Sequence, residues 1–233
     1  KIILSASNTT YGEGLYNCNQ CGNFHPKIRS DSDIENYGFE IVCPKCKNIS
    51  TPIPTPETTG LNCNSIYALT KKYQEDLIHF TGKLYNFPTI SLKYFNVYGP
   101  RQSLSNPYTG VSAIFTSRIK NNNPVIIYED GKQTRDFVYI SDVINANILA
   151  MDNKKNYEVY NIGSGKPISI EHISRLLYQL HNKNPDIKIN SNYRKGDIRH
   201  CIADNSKSKN ELGWEPKISF ADGLRNVYEW SLH

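Results

Sequence analysis

From about residue 64 onward, helical and strand periods alternate along the chain, and no other feature restricts the possible folds as strongly. Asn64 and Ser65 are good N-cap residues, and Tyr67, Leu69, Tyr73, Leu77, Ile78 and Phe80 recur near helical spacing, with Gly82 as the expected stop. The run from Phe87 to Tyr94 (F-P-T-I-S-L-K-Y) then reads as a buried strand. Helix followed at once by buried strand is the pattern of a parallel βαβ sheet. The same reading predicts helices over 112–120, 141–151, 169–181, 205–212 and 220–230, with strands over 125–128, 157–162 and 187–190. A first short strand is expected over Lys1–Ala6, with Ser7-Asn-Thr-Thr-Tyr-Gly as its exit loop. The fold class is therefore α/β.

Residues 14–62 break this rhythm. They show little periodicity and are rich in Cys, Pro, Asn and Thr, and Thr51-Pro-Ile-Pro-Thr-Pro reads as a stiff extended linker. The segment is expected to be an insertion without helix or strand layers. It holds two C-x-x-C pairs, Cys18/Cys21 and Cys43/Cys46, with 21 residues between them. Four thiolates at this spacing suit a tetrahedral structural zinc (or iron) with no open position, the alternatives being free buried cysteines or a redox pair. Such a metal would fix an insertion too small to build its own core. Phe24, His25 and Tyr37 are expected to cover it, while Cys63 and Cys201 stand alone and read as ordinary residues, not ligands.

Composition narrows the function classes. Hydrophobic residues make up 38% and charged residues 21%, enough apolar material for a core. No apolar run approaches the length needed to cross a bilayer, and the opening Lys-Ile-Ile-Leu-Ser lacks a signal-peptide pattern, so a cytoplasmic protein without membrane partners is expected. The net charge of +5 is spread among acids, as where Asp31, Asp33 and Glu35 follow Lys27 and Arg29. Nucleic-acid binders gather their cations in one stripe, so no nucleic-acid partner is expected.

The sharpest chemical signal is Tyr67-Ala-Leu-Thr-Lys71, which puts a phenol and an ammonium one helical turn apart on one face. A lysine ammonium beside a phenol favours the phenolate, a base suited to abstracting a hydroxyl proton. The five residues alone are common on surface helices. Their company is not: Ser7 closes the first strand, and Ser91-Leu-Lys-Tyr-Phe-Asn96-Val-Tyr-Gly-Pro-Arg101 follows the helix. Then come Glu129-Asp-Gly-Lys-Gln-Thr-Arg135-Asp136-Phe-Val-Tyr, Tyr160-Asn-Ile-Gly-Ser-Gly165, Gly196-Asp197-Ile-Arg-His and Glu211-Leu-Gly-Trp214.

In this order the motifs resemble extended short-chain dehydrogenases/reductases that act on nucleotide sugars, above all the sugar 4-epimerases of the UDP-glucose and dTDP-L-rhamnose kind. The resemblance covers nearly the whole chain outside the insertion. It implies a Rossmann-type parallel sheet (1–13 and 63–100), the insertion as a zinc ribbon (14–62), and a smaller α/β substrate part (101–233) returning to the sheet near 125–165. It makes Ser7, Tyr67 and Lys71 the catalytic set, with Tyr67, Lys71 and Tyr94 at the NAD cofactor. It places Asn96, Arg135 and Arg194 on the substrate pyrophosphate and Asp197 at the nucleotide ribose. Guanidinium forks match phosphate oxygens in geometry as well as charge. A homodimer formed partly on the Tyr67 helix is a further implication. Cys-rich insertions and the run Gln102-Ser-Leu-Ser-Asn-Pro-Tyr-Thr-Gly110 are similar to the dTDP-L-rhamnose branch.

Two departures shape the expectation. Dehydratases of this superfamily follow the catalytic hydroxyl with Asp-Glu, whereas Asn8 and Thr9 stand here and cannot transfer protons as carboxylates do. The Gly-rich turn that receives the NAD pyrophosphate is also absent from these 233 residues, so the sequence reads as the later part of a longer enzyme, or as one chain of a split enzyme completed by a partner chain. Such a part is expected to expose sheet edge and apolar surface, and to bind NAD weakly by itself. Neighbouring family reactions (reduction, decarboxylation), a catalytically silent sugar-nucleotide binder and a zinc-ribbon interaction module stand as alternatives.

Overall fold

A computed structural model describes residues 1–103 and 110–232. Residues 104–109, most of the run linked above to the dTDP-L-rhamnose branch, lie outside the described residues. The first part contains β1 (Ile2–Ser7), β2 (Leu15–Cys18), β3 (Gly22–Phe24), α1 (Asp31–Tyr37) and β4 (Thr51–Ile53). Next come α2 (Ile66–Leu84), β5 (Thr89–Tyr94), β6 (Asn96–Tyr98), α3 (Val111–Lys120) and β7 (Val125–Ile127). The chain continues through β8 (Thr134–Tyr139), α4 (Ile140–Asp152), β9 (Glu158–Ile162), β10 (Pro167–Ser169), α5 (Ile170–Leu180), β11 (Ile187–Ile189) and α6 (Phe220–Ser231).

The βαβ expectation is met: β1 and β9 flank β5 in a three-stranded parallel sheet, with α2 as the crossover between β1 and β5. The Ser65 hydroxyl caps α2 by accepting from the Ala68 amide at 3.1 Å. Gly82 does not end α2, which runs on to Leu84. Its missing Cβ instead lets the helix approach β5, because a Cβ there would lie 2.6 Å from the Thr89 methyl carbon and 2.9 Å from the Phe87 carbonyl oxygen. Five of the six β5 residues are buried, the burial expected of a central parallel strand.

Two apolar seams hold the molecule. Ile90 and Leu92 of β5, Tyr160 and Ile162 of β9, and Val143 and Ala146 of α4 meet around the fully buried Trp214. The Trp214 indole donates to the Asp142 carbonyl at 2.8 Å, so its one polar atom is satisfied. A second seam joins α3, α5 and α6 through Phe115, Ile119, Ile173, Leu177, Leu224 and Val227. Each such aliphatic or aromatic side chain contributes about 1.5–3 kcal/mol by leaving water. Strands β10, β8 and β6 form a separate mixed sheet beneath that seam, and β7 pairs in parallel with β11.

The insertion is more ordered than its sequence suggests. Strands β3, β2 and β4 form a small antiparallel sheet, and α1 begins with a capping box in which the Ser30 side chain and Asp33 serve each other's backbone amides. The expectation of no strand or helix here fails because strands of three or four residues are too short to show a period. Thr51–Ile53, read as linker, tolerates Pro52 because β4 is an edge strand, where an amide donor is dispensable.

Candidate functional site

Parallel register brings the first candidates level. Ser7 and Tyr94 are paired neighbours at the carboxyl ends of β1 and β5, and Tyr94 is paired with Ile162 on β9. Open α/β sheets bind ligands outside this end, where strands stop and loops begin. Ser7 is buried and starts a 3-10 turn over Asn8–Tyr11, its hydroxyl accepting from the Thr9 amide at 3.3 Å. Gly12 closes the turn at φ 70°, where a Cβ would also collide with the Asn62 carbonyl oxygen.

Helix α2 packs across β1 and that turn. The Lys71 ammonium donates to the Ser5 carbonyl at 2.9 Å and lies 5.9 Å from the Tyr67 ring centre, so the pair is fixed to the end of β1. Tyr67 is 55% exposed and its hydroxyl has no hydrogen-bond partner among the described residues, which leaves it available to a bound molecule. The Tyr94 hydroxyl instead donates to Asn147 on α4 at 2.9 Å, and does not join Tyr67 or Lys71.

One turn beyond Lys71 on the same helix line stands Glu75, buried with Lys93 of β5 at 3.3 Å. Lys93 also donates to the Thr10 hydroxyl at 3.1 Å, and Thr10 donates in turn to the Ser7 carbonyl at 2.9 Å. Burial draws the Lys93 ammonium below its usual range and pushes the Glu75 carboxyl above its own. This buried chain holds the Ser7 turn from beneath. Sequence reading missed it, since a lysine inside an apolar strand is its only trace.

The remaining candidates converge elsewhere. Asn96, Arg135, Arg194 and Asp197 all line one cavity of about 370 Å³, walled on its apolar side by Ile114, Phe115 and Ile127. Arg135 is ion-paired to Asp197 at 2.9 Å. Arg194 is exposed, lies 5.0 Å from the Tyr128 ring centre and forms no ion pair among the described residues. Asn96 begins β6 directly after Phe95, so it hangs from the same end of the sheet as Ser7 and Tyr94.

A family model described as GDP-mannose 4,6 dehydratase matches residues 49–227. The chain belongs to the nucleotide-sugar epimerase/dehydratase family. It is 32% identical to a dTDP-L-rhamnose 4-epimerase of Burkholderia thailandensis over 98% of its own length and 62% of that protein's. It is 38% identical to a UDP-glucuronate 4-epimerase of Thermodesulfobacterium geofontis over 72% of its length and 50% of the relative's. Among solved structures, a UDP-glucose 4-epimerase of Thermotoga maritima with UDP-glucose is similar at a TM-score of 0.78 and 32% identity, covering 99% of this chain and 62% of that one. The chain thus spans between half and just under two thirds of these relatives' lengths. The parallel sheet with its helices is the Rossmann-like sheet of this epimerase/dehydratase family.

Against that family frame, the four paired cysteines stand apart: Cys18, Cys21, Cys43 and Cys46 precede the matched span. Their sulfurs all lie within 4.8 Å of one another, with Cys18 and Cys43 buried. Each pair sits in a tight turn, closed by the Cys21 amide to the Cys18 carbonyl at 3.2 Å and the Lys47 amide to the Cys43 carbonyl at 2.9 Å. The Cys46 and Lys45 amides point at the Cys43 sulfur and draw its pKa down to about 6. His25, expected to cover the cluster, turns instead to the Tyr11 and Glu13 carbonyls at 2.9 and 2.8 Å. Cys201 packs with Tyr11 and Phe95, and the Cys63 thiol donates to backbone carbonyls.

A buried ionic seam, also unforeseen, joins the insertion to the later part of the chain. The fully buried Arg199 guanidinium meets Glu40 of the insertion, Glu129 at 2.8 Å and Asp130 at 2.7 Å. Arg29 bridges from the insertion to Glu129 at 2.8 Å. Glu13, also fully buried, accepts the Arg199 amide at 2.6 Å and the His200 amide at 3.2 Å, while burial raises its pKa. The Arg199-His200 pair, two residues after Asp197, is the trace of this network in the sequence.

Proposed function

We propose that the chain is the substrate-binding part, with the catalytic set and half of the Rossmann domain, of an NAD-dependent nucleotide-sugar 4-epimerase. The observation that carries this reading is the convergence of Asn96, Arg135, Arg194 and Asp197 on one cavity, with the Ser7 turn, Tyr67 and Lys71 gathered at the end of the adjoining sheet. The relatives named above include 4-epimerases of three different sugars, which supports the reaction type and leaves the sugar to experiment. In this reading residues 1–13 and 63–100 belong to the cofactor half, 14–62 form a metal-bound ribbon, and 101–233 mainly hold the substrate, with β9 returned to the sheet.

The chain's own residues would act as follows. Asn96, Arg135 and Arg194 bind the diphosphate, Asp197 meets the nucleotide ribose, and Tyr67 takes the proton of the sugar's C4 hydroxyl. Ser7 donates a hydrogen bond to the same oxygen, and the Lys71 ammonium, 5.9 Å from the Tyr67 ring centre, completes the catalytic set. Acceptance of hydride from C4 and its return to the opposite face is the chemistry that bound NAD supplies. Dehydration is the second reading, favoured by the description of the matching family model. The buried Asn8 and the hydroxyl of Thr9 weigh against it, since neither is a carboxylic acid.

For the cysteines the same proposal assigns a structural zinc. Zn–S bonds near 2.3 Å in a tetrahedron place sulfurs about 3.8 Å apart, and the Cys18 and Cys46 sulfurs here are 3.4 Å apart. Metal analysis of the purified protein returning no thiolate-bound zinc would remove this assignment. Dimer formation through α2 completes the proposal. It is supported by the exposure of Leu69, Tyr73, Leu77, Phe80 and Leu84 on that helix.

The test is a product assay on the full-length protein with dTDP-L-rhamnose, UDP-glucose and UDP-glucuronate. Interconversion of C4 epimers without net NADH, lost in Tyr67→Phe by about a hundredfold or more, is the expected result. Loss of water from the sugar, or net consumption of NADH, would transfer the enzyme to another reaction.

A further inference from the structure

We propose that the four-cysteine insertion positions the diphosphate-binding loop, acting through Arg29 and Asp31. The inference rests on the reading of Arg194 and Asp197 as substrate residues and goes beyond it by giving the insertion a part in affinity.

Residues 190–197 contain no helix or strand, so their own backbone does little to fix them. A turn from the Asp197 amide to the Arg194 carbonyl and a left-handed Gly196 at φ 81° give local shape only. What holds the loop comes largely from outside. The Asp31 carboxylate, first residue of α1, accepts from the Tyr193 hydroxyl at 2.8 Å and the Lys195 ammonium at 2.6 Å, on either side of Arg194. Arg29, two residues earlier, donates to the Asp197 carbonyl at 3.1 Å with the nitrogen that also meets Glu129. Its other terminal nitrogen donates to the Phe39 carbonyl, tying the far end of α1 to the same point.

The insertion thus grips the loop at three of its residues, and Asn64 adds a contact to the Gly196 carbonyl at 2.8 Å. A second cavity of about 360 Å³ lies between α1 and the loop and shares Arg194 and Asp197 with the substrate cavity. Loop and insertion are therefore two walls of adjoining spaces. Ordering a flexible residue costs conformational entropy. When that ordering precedes binding, the ligand does not have to supply it, and affinity rises. The hydrogen bonds of Asp31 to Tyr193 and Lys195 hold that carboxyl below its usual range, as a committed carboxylate should be.

Asp31 and Lys195 are both substantially exposed, so their exchange should leave the core intact. The experiment titrates UDP and dTDP into the full-length protein by calorimetry, with melting temperature and steady-state kinetics measured alongside. Asp31→Lys should weaken nucleotide diphosphate binding by about fivefold and raise KM for the sugar nucleotide alike, with kcat and melting temperature nearly unchanged. The double variant Asp31→Lys with Lys195→Asp should restore the affinity to within about twofold. Asp31→Asn serves as the second variant if charge reversal prevents folding, with a smaller loss in the same direction.

Wild-type affinity in the single variants, no recovery in the charge-swapped double, or a joint fall of kcat and melting temperature would each overturn the inference. Wild-type protein that binds neither UDP nor dTDP would overturn the underlying reading of the cavity, and this inference with it.

Discussion

Arg135 and Arg194 share a cavity but differ in electrostatic standing. Arg135 already faces Asp197 and donates to the Thr134 and Arg199 carbonyls, so its guanidinium is largely satisfied by protein. Among the described residues Arg194 has the Tyr128 ring beneath it and no ion-pair partner, so the ring steers the direction of its donors. A diphosphate entering the cavity should therefore draw most of its new charge-assisted hydrogen bonds from Arg194. Arg194→Ala is expected to weaken UDP binding by about ten- to a hundredfold, equivalent to roughly 1.5–3 kcal/mol for bonds to a charged group. Calorimetric titration checks this, and an unchanged Kd would shift the anchoring role to Arg135. Both arginines were legible in the sequence as residue types in ordered motifs. The pairing that distinguishes them was not, because Arg135 and Asp197 lie 62 positions apart and meet only when β8 and the 193–197 loop are folded together.

Helix α1 and strands β2–β4 act through the seam they form with Arg199. Glu40, which follows α1, bonds His200 and Arg199, and these two contacts hold its carboxyl well down, to about 2. A carboxylate depressed in the folded state adds stability that is complete above its ordinary value near 4.5 and drains away as pH falls toward 2. The stability difference between wild type and Glu40→Gln should therefore be largest above about pH 5 and shrink on acidification through that window. Urea unfolding at several pH values reads it out, and a difference independent of pH would show that the ionised form is not what matters. At this scale the sequence announced the long elements, α2, β5 and α5, because periodicity has room to repeat there. It concealed β8, where Thr134-Arg-Asp-Phe-Val-Tyr puts a buried aspartate inside a strand. Asp136 tolerates that position by accepting from the Ser164, Gly165 and Ala203 amides, partners supplied by distant loops.

Across the whole molecule, α2 has two faces with different work. One presents Lys71 and Glu75 to β1 and β5, while the other leaves Tyr73, Leu77, Phe80 and Leu84 between 58% and 67% exposed. Exposed apolar side chains at three- and four-residue spacing form a stripe suited to another helix. If two copies meet there, Tyr73→Lys with Phe80→Lys should convert a dimer to a monomer in sedimentation equilibrium while the circular dichroism stays the same. A wild-type monomer at about 100 μM, far above the Kd of a stable interface, would exclude that use of the stripe. Among the described residues, no helix is long and apolar enough to cross a membrane, so the stripe is not part of a helical span.

What the sequence determined alone was the local chemistry and its order: an α/β alternation set by period, a Tyr-Lys pair one turn apart, two cysteine knuckles, and a succession of motifs that carries the family. These are properties of neighbours along the chain, and neighbours follow from backbone geometry. Only the tertiary structure decided which distant groups share a space. It set Ser7 level with Tyr94 through strand register, converged four substrate candidates on one cavity, and joined the insertion to the substrate loop through Arg29 and Asp31. Charges buried far apart in sequence find partners only after the chain has closed, because the cost of leaving them unpaired arises only once water is gone.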